Sequence, residues 1–158
     1  MAQNEVRIHM SRHADRFFGY TEEMKDRLQN MRPVFEIAKA KLEMHNAQNF
    51  ATNGLPVGGW KPLDAQYASW KAVNFPGTPP MVRTGKLLES VTNLSNSAVN
   101  IIGDTSATFG TDVEYAKFHQ YGTTKMAKRK IIFTPEGFAH DIGQKAVDYA
   151  VNGIGGLT

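Results

Sequence analysis

The spacing of hydrophobic and polar positions changes repeatedly along this chain, and each change marks an element. Residues Glu5 to Met10 alternate, with Val6, Ile8 and Met10 on one side and Arg7 and His9 on the other, which predicts a short strand. Thr21 reads as a helix N-cap: Glu22 and Glu23 sit where the helix dipole favours acids, and Met24, Leu28 and Met31 follow at helical spacing. That helix should end before Pro33, which can open a second one because its missing N–H costs nothing in the first turn. In the second helix Glu36, Lys39, Glu43 and Asn46 form a polar stripe, read as solvated. Val34, Phe35, Ile37, Ala38, Leu42 and Met44 form a broad apolar face opposite. Asn53-Gly54 ends the helix and Pro56-Val57-Gly58-Gly59 is a turn-rich connection.

Trp60, Leu63, Tyr67 and Trp70 then recur at spacings of three and four, as in a short amphipathic helix packing into the core. Residues 74–80, with Pro76, Gly77, Pro79 and Pro80, predict an exposed loop. From Thr84 to Gly110, β-branched residues separated by Asn93, Asn96 and Gly103-Asp104 predict a small antiparallel meander. Asp112 to Tyr121 reads as a short helix closed by Gly122, and Ile131-Ile132-Phe133 as a buried strand. Thr134 as N-cap and Pro135 as first residue open a last helix with Phe138, Ile142, Ala146 and Tyr149 on one face. Asn152-Gly153 ends it and leaves 152–158 as a flexible tail.

This order predicts an α+β domain, a small antiparallel sheet packed against two or three helices. With 158 residues the chain forms one core more readily than two, so 1–158 is read as a single domain, with 1–20 as an N-terminal arm. The absence of cysteine removes disulfides, thiolate metal sites and a thiol nucleophile. A net charge of +3 is too small to dictate a nucleic-acid partner. No apolar run approaches the roughly 20 residues that span a bilayer, so no membrane association is expected, and the chain is expected to be cytoplasmic when made.

The candidates for chemistry are sparse. Histidines 9, 13, 45, 119 and 140 are scattered, and no metal or cofactor site is expected. Asp112, Glu114 and His119 could converge for acid–base work if their segment is helical, but such triples arise by chance, and no catalytic role is assigned. Gly58-Gly59 and 153–156 lack the flanking elements and the Lys-Ser/Thr pair of a phosphate loop, and no Gly-x-Ser-x-Gly elbow occurs. Lys117, Lys125, Lys128, Arg129 and Lys130 form the densest basic region, which could contact phosphates in a salt-sensitive, sequence-blind way.

A set of landmarks resembles the phage virion morphogenesis (tail-completion) family. They are Phe50 and Gly54 closing a helix; Pro56-Val57-Gly58-Gly59-Trp60-Lys61-Pro62-Leu63; Tyr67 with Trp70-Lys71; and Met81-Val82-Arg83-Thr84-Gly85-Lys86-Leu87-Leu88-Glu89-Ser90-Val91. Phe109-Gly110-Thr111, Tyr115-Ala116-Lys117-Phe118-His119-Gln120-Tyr121-Gly122 and the basic turn Lys128-Arg129-Lys130 follow, so the likeness runs from about Pro33 to Phe133. The chain departs from the family at Ala127-Lys128-Arg129-Lys130, where a proline followed by Ala-Arg-Pro is usual.

The resemblance implies a structural, non-enzymatic role in tail completion or head–tail joining. It implies a ring, hexameric as in the family, around the DNA channel at the neck or tail end of the virion. Tail tube or head connector proteins would be its neighbours, with genomic DNA passing through the lumen. Under it, Phe50, Trp60, Leu63, Tyr67 and Trp70 are expected in the core, with Thr84-Gly85 as the turn entering the sheet. Tyr115, Phe118, His119 and Gln120 are expected at a subunit or partner interface, and Lys117, Lys125, Lys128, Arg129 and Lys130 facing the channel. The competing expectation is a sequence-nonspecific nucleic-acid-binding module built on the same Lys117–Lys130 region.

Overall fold

The computed structural model describes residues 13–96 and 99–157; the strand expected at Glu5–Met10 lies outside them. Helix α1 (His13–Gln29) leads into α2 (Arg32–Ala51), followed by α3 (Ala65–Asn74) and α4 (Lys86–Thr92). Strands β1 (Asn100–Ile102) and β2 (Ala107–Phe109), the short helix α5 (Ala116–Tyr121) and the long helix α6 (Phe138–Asn152) complete the order. The fold is α+β, as expected, with a sheet smaller and a helical share larger than the sequence pattern suggested.

Helix α2 is the axis of the molecule. Val34, Ala38, Leu42, Asn46 and Phe50, each four residues from the last, form one buried line, and Asn49 joins it. The expectation that Asn46 is solvated is therefore wrong. Its side-chain amide donates to Val91 O at 2.9 Å, and Asn49 Nδ2 donates to Lys130 O at 2.9 Å. Both asparagines are fully buried, and each stitches α2 to a different part of the chain. Met44, assigned to the apolar face, is instead 58% exposed.

Around this axis α4 packs on α2, α6 packs on α1 and α2, and the main apolar cluster unites Phe50, Met81, Leu87, Val91, Val113, Ala116 and Ile131. The start of the expected meander is instead helix α4, where Leu87 and Val91, four apart, bury one side of about two turns rather than alternating. Thr84-Gly85 accordingly leads into α4 and not into a sheet: Thr84 is exposed and Gly85 is the left-handed N-cap. What remains of the meander is one hairpin, with Asn100 opposite Phe109, Ile101 opposite Thr108 and Ile102 opposite Ala107. Its turn is fixed to the α1–α2 junction, where Met31 N donates to Asp104 O at 2.6 Å and Arg32 pairs with the Asp104 carboxylate at 2.7 Å.

Three further boundaries differ from expectation. Thr21 lies inside α1 rather than at its cap, so residues 13–20 of the expected arm are helical. Helix α6 starts after Gly137 rather than at Thr134, behind a turn in which Phe138 N donates to Pro135 O at 3.1 Å. Residues Gly153–Leu157, expected as a loose tail, form a 3-10 helix folded back on α6. Arg27 secures that end by donating to Ala150 O and Val151 O at 3.2 and 2.9 Å, satisfying carbonyls the helix terminus leaves open.

Candidate functional site

The segment linking α5 to α6 has no partner strand among the described residues. From Lys130 to Ile132 its backbone groups are bonded by side chains. Gln120 Oε1 accepts from Ile131 N at 2.9 Å and Ile132 N at 3.1 Å, while its Nε2 donates to Ile132 O at 2.8 Å. Lys130 O accepts from both Asn49 Nδ2 and Trp60 Nε1, each at 2.9 Å. The expected strand at Ile131-Ile132-Phe133 is therefore stitched to a glutamine, an asparagine and a tryptophan instead of to a sheet, which satisfies the same backbone groups without a strand. Gln120, expected at an interface, is a fold-holding residue.

Arg129 is also reassigned. It is 5% exposed, and its guanidinium donates to Lys61 O at 2.9 Å and Pro62 O at 2.7 Å, while its backbone N–H donates to His119 O at 2.8 Å. Its charge is thus unavailable to a phosphate in a channel. Gly122, with φ of 77°, lets this passage form: a Cβ there would lie 2.9 Å from Lys128 N. Lys117, Lys125, Lys128 and Lys130 are exposed. Lys117 stands over the Phe118 ring beside one hollow, Lys125 lines a second and Lys130 a third.

The second of these is a groove of ≈ 650 Å³ between α3, the stretch from Pro80 into α4, α5 and the loop at Lys125 to Arg129. Leu63, Met81, Leu87 and Leu88 give it apolar walls, and Arg83, Lys86 and Lys125 make its charge positive. His119 and Tyr115 contribute from α5, four residues apart on one helix face. Burial lowers the His119 pKa, and the nearby Arg129 charge lowers it further, so the imidazole is neutral at neutral pH. Its Nδ1 is buried without a hydrogen-bond partner.

Next to the groove, α3 presents an aromatic surface rather than packing it inward. Phe50 is buried and Trp60 packs edge-on against it at 5.1 Å, but Tyr67 and Trp70 are 40% and 45% exposed, against the expectation that they belong to the core. They stack on each other at 5.6 Å, Trp70 meets Phe75 at 5.7 Å, and Arg83 stands over the Phe75 ring at 5.8 Å. The helix turns this face outward because Lys71, not an aromatic, is its buried residue. The Lys71 ammonium donates to Thr78 O, Thr78 Oγ1 and Pro79 O at 2.9, 2.8 and 2.6 Å, so the Pro-rich loop is folded around it. Asp64, whose carboxylate accepts from Gln66 N and Tyr67 N, sets where α3 begins.

Sequence spacing missed Lys71 and the groove cations Arg83 and Lys86, because nothing local distinguishes a lysine folded under a loop from one in water. It also placed Asp112, Glu114 and His119 together as a conceivable acid–base group. The structure separates them: Asp112 and Glu114 border the hollow on the far side of α5 from the groove that His119 lines. Among the described residues no three His, Asp or Glu side chains group as a metal site, and no helix is long and apolar enough to cross a membrane.

The arrangement offers binding surface and shape, with exposed aromatics beside a cationic groove. In comparison with known proteins, residues 16–149 match the model of the phage virion morphogenesis family. No curated protein and no solved structure matches the chain.

Proposed function

The chain belongs to the phage virion morphogenesis family, and from that premise we propose that it acts in tail completion or head–tail joining as a subunit of a ring around the DNA channel. Its role in phage virion structure and assembly follows from membership; the ring and its position are our reading. The observation that carries the ring is the set of large apolar side chains left in water on a small domain. Tyr67, Trp70 and Val73 on α3 and Tyr115, Phe118 and Tyr121 on and beside α5 are each 40–80% exposed. A monomer gains nothing from such a surface, whereas subunit contacts are enriched in aromatic residues. Two unlike faces suit a head-to-tail contact, which closes into a ring when the rotation per subunit allows.

In this reading the protein is not an enzyme, needs no cofactor, and has tail tube or head connector proteins as neighbours at the neck or tail end of the virion. The exposed Lys128 and Lys130 beyond α5 face DNA passing through the lumen, without Arg129. Light scattering at two protein concentrations, followed by negative-stain imaging, tests the ring. Closed particles of several subunits are expected; a chain that stays monomeric at both concentrations and in the presence of purified tails would overturn it.

A further inference from the structure

The two sides of α5 differ in charge and in shape. On one side lies the groove already described, with Arg83, Lys86 and Lys125 around apolar walls. On the other, Asp112, Glu114 and Lys117 stand with Phe118 and Tyr121 around a hollow of ≈ 590 Å³, where the acids outnumber the cation. Tyr121, the last residue of α5, is 76% exposed.

Most acids elsewhere are engaged within the chain. Glu22 and Glu23 pair with Lys25 and Arg27, Asp104 with Arg32 and Asp141 with Lys41. Glu43 accepts from Leu94 N, and Asp64 caps α3. Among the described residues Asp112 and Glu114 make no ion pair, and neither do Lys86 and Lys125. One face therefore carries two unpaired acids against the single cation Lys117 beside exposed aromatics, and the other carries unpaired cations against the single acid Asp64, already engaged as the α3 cap, beside apolar walls.

We propose that these are the two halves of one contact: the rim of Asp112, Glu114, Phe118 and Tyr121 of one copy seats in the cationic groove of the next. This deepens the ring reading and rests on it. The occupant is a second copy of this chain, chosen by charge complementarity, which steers encounter and fixes register, and by the apolar walls that would cover Phe118 and Tyr121. The two halves are different surfaces of the same molecule, so the contact is head-to-tail and leaves a free groove at one end and a free rim at the other until the ring closes.

The chain's lack of cysteine provides a direct test. Lys86→Cys and Glu114→Cys are made singly and together, all at exposed positions outside the core, and treated with a short bis-maleimide. The double variant should give a ladder of multimers on a denaturing gel. Each single variant alone should give no dimer, and a mixture of the two should give crosslinked pairs. Single variants that dimerise by themselves, or a double variant that is oligomeric by light scattering yet gives no ladder, would overturn the proposed faces while leaving the ring intact. A wild-type chain that never oligomerises would remove the ring reading and this inference together.

Charge reversal supplies a readout that does not depend on crosslinking. Arg83→Glu/Lys86→Glu, and separately Asp112→Lys/Glu114→Lys, should each raise the concentration needed for assembly by about tenfold or more, since like charges then face each other. Combining all four substitutions should restore it. Failure of the combined variant to recover, with circular dichroism unchanged, would contradict the pairing.

Discussion

The carboxamide of Gln120 pairs with the backbone of Ile132 as a neighbouring strand would, accepting from its N–H at 3.1 Å and donating to its carbonyl at 2.8 Å. One side chain thus replaces an edge of sheet, and a third bond, from Ile131 N at 2.9 Å, completes the match. Gln120→Glu keeps the shape but sets an acceptor against the Ile132 carbonyl. Leaving that carbonyl without its donor should cost about 2 kcal/mol, lowering Tm by roughly 4–8 °C in a thermal melt. An unchanged Tm would mean that the pairing contributes nothing.

Much of this was readable from spacing, and the failures share a cause. Helix α2 was legible because its apolar positions recur over five turns, and Pro33 and Asn53-Gly54 mark its ends. The closing Gly122 of α5 was legible for the same kind of reason. Where a polar side chain substitutes for secondary structure, hydropathy points the wrong way. Asn46 reads as surface, Gln120 as a partner contact and Arg129 as a phosphate contact, and nothing in the spacing marks Lys71 for burial, yet each is engaged by carbonyls distant in sequence or beyond its own helix. Tyr67 and Trp70 mislead in the opposite sense. Their spacing is that of a core face, but the residue turned inward on α3 is the lysine.

Lys71 should therefore be a structural residue of the Pro-rich loop. Lys71→Met retains the stem and removes the three donated bonds to Thr78 and Pro79. Leaving these acceptors unsatisfied should cost about 1–3 kcal/mol and free the loop to move. The expected readout is faster amide exchange and easier proteolysis at residues 75–80, with the remainder of the fold unchanged.

His119 gives the fold an acid sensitivity of definite sign. Its folded pKa lies below the ordinary value of 6.5 because burial, and then the charge of Arg129, disfavour the imidazolium. Between the folded and unfolded values the unfolded chain binds more protons, so stability rises with pH across that window. The contribution is fully present above about 6.5 and is lost as pH falls toward the folded pKa. Melting curves from pH 7.5 down to 5.5 should show a decline that is smaller in His119→Gln, after correction for the variant's own change in stability at pH 7.5.

Arg129 and the neighbouring lysines should separate in two assays. Arg129→Gln breaks the bonds to Lys61 and Pro62 and should lower Tm without altering retention on a DNA column. Lys128→Gln/Lys130→Gln, both at exposed positions, should leave stability within about 0.5 kcal/mol of wild type and reduce whatever retention exists at low salt. Reduced retention by a folded Arg129 variant would return that residue to the DNA-facing set.

The central claim, that this chain completes tails or joins them to heads, is tested most directly by particle counts. Electron microscopy of lysates from the encoding phage, with the gene carrying an early stop codon, should show filled heads and separate tails in place of joined virions. Supplying the wild-type chain from a plasmid should restore joining. Intact virions in normal numbers without the chain would contradict the account.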